Sequence, residues 1–146
     1  MTALRLARIG LLISTILVGV TAVAGGAALI VGSLNPSLAT VLSPPVEYLE
    51  GSPFNSYLAP GVILALVLGG LHLVVFVLVL RRHEWWVLAG AVAAFDALIW
   101  IFVQMVFIPF SFLQAFYFAF GLAEAGLVML ALGLLTPAKH HPVHRS

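Results

Sequence analysis

The sequence predicts an all-α protein, a four-helix bundle that crosses a membrane with its N- and C-termini in the cytoplasm. Three observations predict it. Of 146 residues, 63% are hydrophobic and only 8% are charged, with mean hydropathy +1.20, whereas soluble domains carry roughly 25% charged residues. Four apolar runs each reach the roughly 20 residues that a helix needs to span a bilayer. All the Lys and Arg residues fall in the segments that four crossings place on one side.

Helix one covers about Ile9 to Ser33. Arg5 and Arg8 before it, and Ala22-Val23-Ala24 within it, resemble parts of a cleavable signal. The apolar run continues past any signal core, so a retained first helix is expected. Helix two covers about Leu58 to Leu80, with Pro60 in its first turn, where the missing N–H costs nothing. Helix three covers about Trp85 to Phe107 and helix four about Leu113 to Leu135. Pro109 separates these two, and Pro137 ends the last. In lipid only helices and closed barrels satisfy the backbone, and these long unbroken runs suit helices.

The tightest constraint is Arg81-Arg82-His83-Glu84-Trp85-Trp86. Two adjacent arginines belong in water, and tryptophan rings favour the headgroup level. This turn therefore lies at the cytoplasmic face, together with Arg5 and Arg8 and with Lys139 and Arg145. The outer loop, 34–57, holds no Lys or Arg. Pro36, Pro44, Pro45 and Pro53 punctuate it, leaving room for a short helix around Ser37 to Leu42. Its acidic and aromatic side chains (Glu47, Tyr48, Glu50, Phe54, Tyr57) suit a cap on the bundle or a binding surface. The tail, 136–146, with His140, His141 and His144, reads as a solvated end. The whole chain forms one transmembrane domain without an internal repeat, which argues against an inverted-repeat transporter.

His72, Asp96 and Glu124 are the ionisable residues at membrane depth. Each costs about 2.5–3.5 kcal/mol on insertion scales, while an interhelical hydrogen bond returns only about 0.6. Counted from the outer helix ends at 1.5 Å per residue, their depths agree within roughly 5 Å. Asp96, Trp100 and Gln104 form one stripe of helix three, and Gln114, Tyr117, Gly121 and Glu124 one stripe of helix four. Gly61, Ala65, Gly69 and His72 line helix two. Ser14, Thr21, Gly25, Ala28 and Gly32 line helix one. Turning all four stripes inward brings His72, Asp96 and Glu124 together in the core, with Gln104, Gln114 and Tyr117 above them. The two carboxyls are then expected to share a proton, or His72 to pair with them as a cation.

Several functions are excluded or weakened by composition. The chain has no cysteine, so disulfides, thiolate zinc sites and thiol chemistry are unavailable. No charge-dense surface exists for nucleic acid. No nucleophile–base motif marks an enzyme, and one membrane-depth histidine is too little for haem. No cofactor is expected, and the acids lack the local spacing of a strong metal motif. An accessory or interaction subunit leads. Its partners are the bilayer and either itself or another membrane subunit, contacted through apolar surface such as Phe110, Phe112, Phe116, Phe118 and Phe120. The alternative is a proton- or cation-linked transporter, or a binder of a small ligand, acting through Asp96, Glu124 and His72. Four helices are few for transport, so that version implies a dimer joined by the small residues of helices one and two.

The runs Trp100-Ile101-Phe102-Val103-Gln104, Leu113-Gln114, Tyr117-Phe118 and Gly121-Leu122 resemble those of small bacterial four-helix membrane proteins. So does the loop from Ser52-Pro53-Phe54 to Pro60-Gly61. The likeness implies a bundle in a bacterial inner membrane and carries no activity with it.

Overall fold

A computed structural model describes residues 2–135. They form α1 (Ala3–Leu34), α2 (Pro36–Leu42), α3 (Leu58–Leu80), α4 (Trp86–Phe107) and α5 (Phe112–Ala131), and no strand occurs among the described residues. Four of these, all but α2, are long and apolar enough to cross a membrane. They stand in a square in the order α1, α3, α4, α5, so that α3 and α5 face each other across a diagonal.

Glycine sets how closely α1 and α3 approach. A Cβ built on Gly26 would lie 2.5 Å from the Gly61 carbonyl oxygen and 2.7 Å from the Ala65 nitrogen, and one on Gly69 would lie 2.7 Å from Val23 Cγ2. Gly61, Ala65 and Gly69 therefore do form the close-approach face their spacing predicts. That face meets α1 within the same chain, so it is not the free surface a dimer was expected to use. On α1 the tight contact falls at Gly26, one residue from the predicted Gly25. The buried line runs through Ala7, Leu11, Thr15, Val18, Ala22 and Gly26.

Two helix ends differ from the sequence expectation. α1 begins at Ala3 rather than near Ile9, because the Thr2 side chain accepts from the Arg5 backbone N–H at 3.4 Å. Arg8 thus lies inside the helix, and its guanidinium donates to the Val79 and Leu80 carbonyl oxygens, each at 3.0 Å. These are end carbonyls of α3 that lack intrahelical donors. α5 ends at Ala131 rather than Leu135. Gly133, at φ 75°, makes the left-handed turn that lets Leu134 N–H reach the Met129 carbonyl at 3.0 Å. Pro137 and the histidine tail lie outside the described residues.

The arginines at the start of α1 and the end of α3 share one end of the bundle, as Arg8 on Val79 and Leu80 requires. The connecting segment 35–57 covers the other end. Its short helix, Pro36–Leu42, matches the one expected at Ser37 to Leu42, with Asn35 Oδ1 accepting from Ser37 N–H. The Tyr57 hydroxyl donates to the Pro45 carbonyl at 2.9 Å and fastens the loop to the foot of α3.

Burial pushes the Tyr57 phenol above its usual range, and Tyr48 and Glu47 push it the same way. Folding therefore favours the protonated phenol. Its stabilisation is fully present below the ordinary pKa of about 10 and is lost as pH rises through the higher folded value. Tyr57→Phe is expected to remove one hydrogen bond, about 1 kcal/mol. It should also remove a phenolate absorbance change that sets in above the ordinary tyrosine range in an alkaline titration. An unchanged titration would show the loop held by other means.

Candidate functional site

The polar residues divide into two places rather than one. At the centre, His72 Nε2 lies 3.2 Å from Glu124 Oε2, and both side chains are 0% exposed. The contact joins α3 to α5 across the diagonal. Along α3, His72 lies between the apolar cluster of Leu11, Val75, Val79, Ala93 and Val128 and that of Val18, Ala22, Leu68 and Ala97. His72 Nδ1 is 2.7 Å from the Leu68 carbonyl oxygen. A carbonyl only accepts, so Nδ1 carries a proton and donates it. The remaining contact, Nε2 to Oε2, then holds one proton between two acceptor atoms. Whether that proton resides on the ring or on the carboxyl, the pair as a whole is neutral, which is what a dry core tolerates.

The α3 segment leading into His72 was not legible in the sequence. Leu64–Gly69 is a π-helical turn, and Gly70 N–H donates back to the Ala65 carbonyl. Its wider winding buries Leu68 and Gly69 together and precedes His72 by one turn. Such turns occur often beside functional groups. The adjacent glycines Gly69-Gly70 were the available signal.

Asp96 does not join this pair. The expected Asp96–Glu124 hydrogen bond is not formed. Asp96 Oδ2 and Glu124 Oε1 are both buried and lack a hydrogen-bond partner among the described residues. The reason lies in α4, whose buried face is Gly90, Ala93, Ala94, Ala97 and Ile101. Those small residues let α4 pack tightly on α5, where a Cβ on Gly121 would lie 3.0 Å from Leu98. Asp96, one residue before Ala97, is thereby turned about 100° from the packing line.

The stripe Asp96, Trp100 and Gln104 is nevertheless real, since all three line one cleft. α3 meets α4 mainly along Gly70–Leu80, and towards the loop the two helices part. The gap holds a cavity of about 280 Å³. Ile63, Ile99, Val103 and Phe107 wall it, and Leu49, Phe54 and Tyr57 of the loop close over it. Asp96 is the one formally charged residue among its lining.

Gln104, Gln114 and Tyr117 do come together, lining a second cavity of about 200 Å³ on the loop side of His72. Gln114 closes a capping box with Ser111, its Oε1 accepting from the Ser111 N–H at 3.0 Å. The Tyr117 hydroxyl donates to Thr21 Oγ1 at 2.6 Å, and Thr21 donates to the Leu17 carbonyl. These bonds fasten α5 to itself and to α1. Among the described residues no group of three His, Asp or Glu side chains is placed to hold a metal ion. Comparison of the chain with family models, curated proteins and solved structures gave no match.

Proposed function

We propose that this chain is a multi-pass cell-membrane protein that acts by binding rather than by chemistry, and that its binding place is the cleft at Asp96. The basic end faces the cytoplasm and the 35–57 loop faces outward. The cysteine-free chain gives a direct test of that orientation. A membrane-impermeant maleimide added to intact cells should label Ser52→Cys and leave Glu84→Cys unlabelled; the reverse pattern would invert the bundle.

One observation supports the binding reading. Two acids cost the same to place at membrane depth, yet only one has a side-chain partner inside the bundle. Each keeps one buried oxygen unpartnered, but Glu124 meets His72 through Oε2, whereas Asp96 makes no side-chain hydrogen bond among the described residues and lines an apolar cleft. An acid of that kind suits a lipophilic ligand with a cationic or hydrogen-bond-donating head. Trp100 lines the cleft, so its fluorescence reports occupancy. In a Trp85→Phe, Trp86→Phe background, octylamine should bind more tightly than octanol, and octanol more tightly than octanoate. Asp96→Asn should weaken the amine about tenfold, or roughly 1.4 kcal/mol, with little effect on the alcohol. An order that Asp96→Asn leaves unchanged would remove the carboxylate from the site.

The interaction-subunit reading has its own support. Phe102 and Phe110 are 71% exposed and Phe112 is 90% exposed, all towards the loop end of α4 and α5. A partner helix could cover them, and that role would tolerate Asp96→Asn. The sealed state of His72 and Glu124 supports a structural part for that pair over a proton path.

A further inference from the structure

The basic end of the bundle carries a further cavity, of about 590 Å³, between the starts of α1 and α4. Its polar wall is Arg5, Arg8 and Arg82, with Thr2 beside them. Its apolar wall is Leu4, Ile9, Leu12 and Trp86. No carboxylate lines it. Arg8 is occupied by the α3 carbonyls. Arg5 and Arg82 have no ion-pair partner among the described residues.

Arg82 is held in an unusual way. It stands at φ 54°, the left-handed position that follows the end of α3. Its N–H donates to the Val79 carbonyl at 3.2 Å, and His83 N–H donates to Leu78 at 3.0 Å. This is the helix stop at which glycine is the relaxed residue, and Gly133 fills the same position after α5. An arginine there is strained, and such strain recurs where a side chain is needed in a particular place. Here the side chain lines the cavity.

We propose that this cavity holds the headgroup phosphate of an anionic phospholipid, with an acyl chain lying along Ile9 and Leu12. Guanidinium forks match phosphate geometry. Arg5 to Leu12 is seven residues, or about 10 Å of helix. That is longer than a phosphate needs, and the far part of it is apolar. Trp86 adds an amphipathic ring at the boundary between headgroup and tail. The site rests on the membrane-crossing reading but not on the Asp96 cleft, since Trp86 and Asp96 stand about 15 Å apart along α4.

The test uses the full chain in dodecyl maltoside micelles, with its thermal midpoint followed during three parallel titrations. Dioleoyl-phosphatidylglycerol should raise the midpoint, while dioleoyl-phosphatidylcholine and inorganic phosphate should not. Arg5→Gln with Arg82→Gln should raise the half-saturating concentration of phosphatidylglycerol about thirtyfold. Arg81→Gln removes the same kind of charge outside the cavity and should leave the response intact. Arg82→Gly separates strain from binding, because it should stabilise the lipid-free protein and still weaken the lipid response. Equal response to phosphatidylcholine would make the groove a general lipid contact and overturn the proposal. A response to inorganic phosphate alone would assign the arginines to a free anion. A full response in the double variant would also overturn it. A chain that stays soluble and folded without detergent would instead overturn the membrane reading beneath it.

Discussion

Gly26→Leu is expected to prevent α1 from seating on α3, and even Gly26→Ala to lower stability by about 1–3 kcal/mol. The argument is geometric. An added Cβ would sit 2.5 Å from the Gly61 oxygen and 2.7 Å from both Ala65 N and Ala65 Cβ. Two of those neighbours are backbone, so no side chain can rotate aside. The helices must part, and with them the close contacts at Gly69 with Val23 and at Gly19 with Leu73. Without a hydrophobic force between helices in lipid, close packing is a main source of their association. Gly126→Ala is the control. Nothing lies within 4 Å of its Cβ position, and alanine gains up to about 1 kcal/mol over glycine in a helix. Unfolding in a denaturing-detergent titration should therefore move in opposite directions for the two substitutions. Equal shifts would mean that helix propensity, not the crossing, sets stability at Gly26.

That contrast also explains what the sequence could and could not reveal. Helix number, the short loop helix and the bounds of α3 were legible because apolar length is a strong signal with one physical cause. The ends of α1 and α5 were misjudged because hydropathy marks the hydrocarbon, not the helix. Thr2 caps α1 in front of two arginines, and Gly133 stops α5 while the sequence is still apolar. The inward stripes of α3 and α5 were read correctly, but α4 was not. On α4, polarity and smallness mark different faces, and smallness decided the packing: Ala93, Ala94 and Ala97 lie against neighbours while Asp96 opens on the cleft. His72 was expected to meet both acids, and it meets Glu124 alone; which acid it takes was not legible, because the approach runs across the diagonal of the square while Asp96 turns to the cleft. The phase of α3 there depends on a π turn that no periodicity count foresees.

The His72–Glu124 pair carries the other large prediction. Glu124→Leu leaves His72 Nε2 in a dry core without its partner, and His72→Leu leaves an unpaired carboxylate there. Breaking a buried pair from one side costs about 3–5 kcal/mol. Removing both partners with apolar replacements of similar bulk is close to neutral in other cores. The double variant is therefore expected to be more stable than either single one, with a large coupling in a double-mutant cycle. Glu124→Gln should be mild, since its amide can still donate to Nε2. The average interhelical hydrogen bond in a membrane contributes only about 0.6 kcal/mol, because the unfolded chain in lipid also finds partners. That figure is an average, and the strongest such bonds reach about 1.7 kcal/mol. Here both groups are fully enclosed, and the Leu68 carbonyl already fixes the ring's other nitrogen. Nitrogen-15 spectra of His72 should accordingly show Nδ1 protonated, and Glu124→Gln should keep it so. Small, additive single-variant effects would remove the pair as the lock between α3 and α5. Glu124 would then be as unexplained by the bundle as Asp96 is, and the proposed division between a structural acid and a ligand-binding acid would lose its basis.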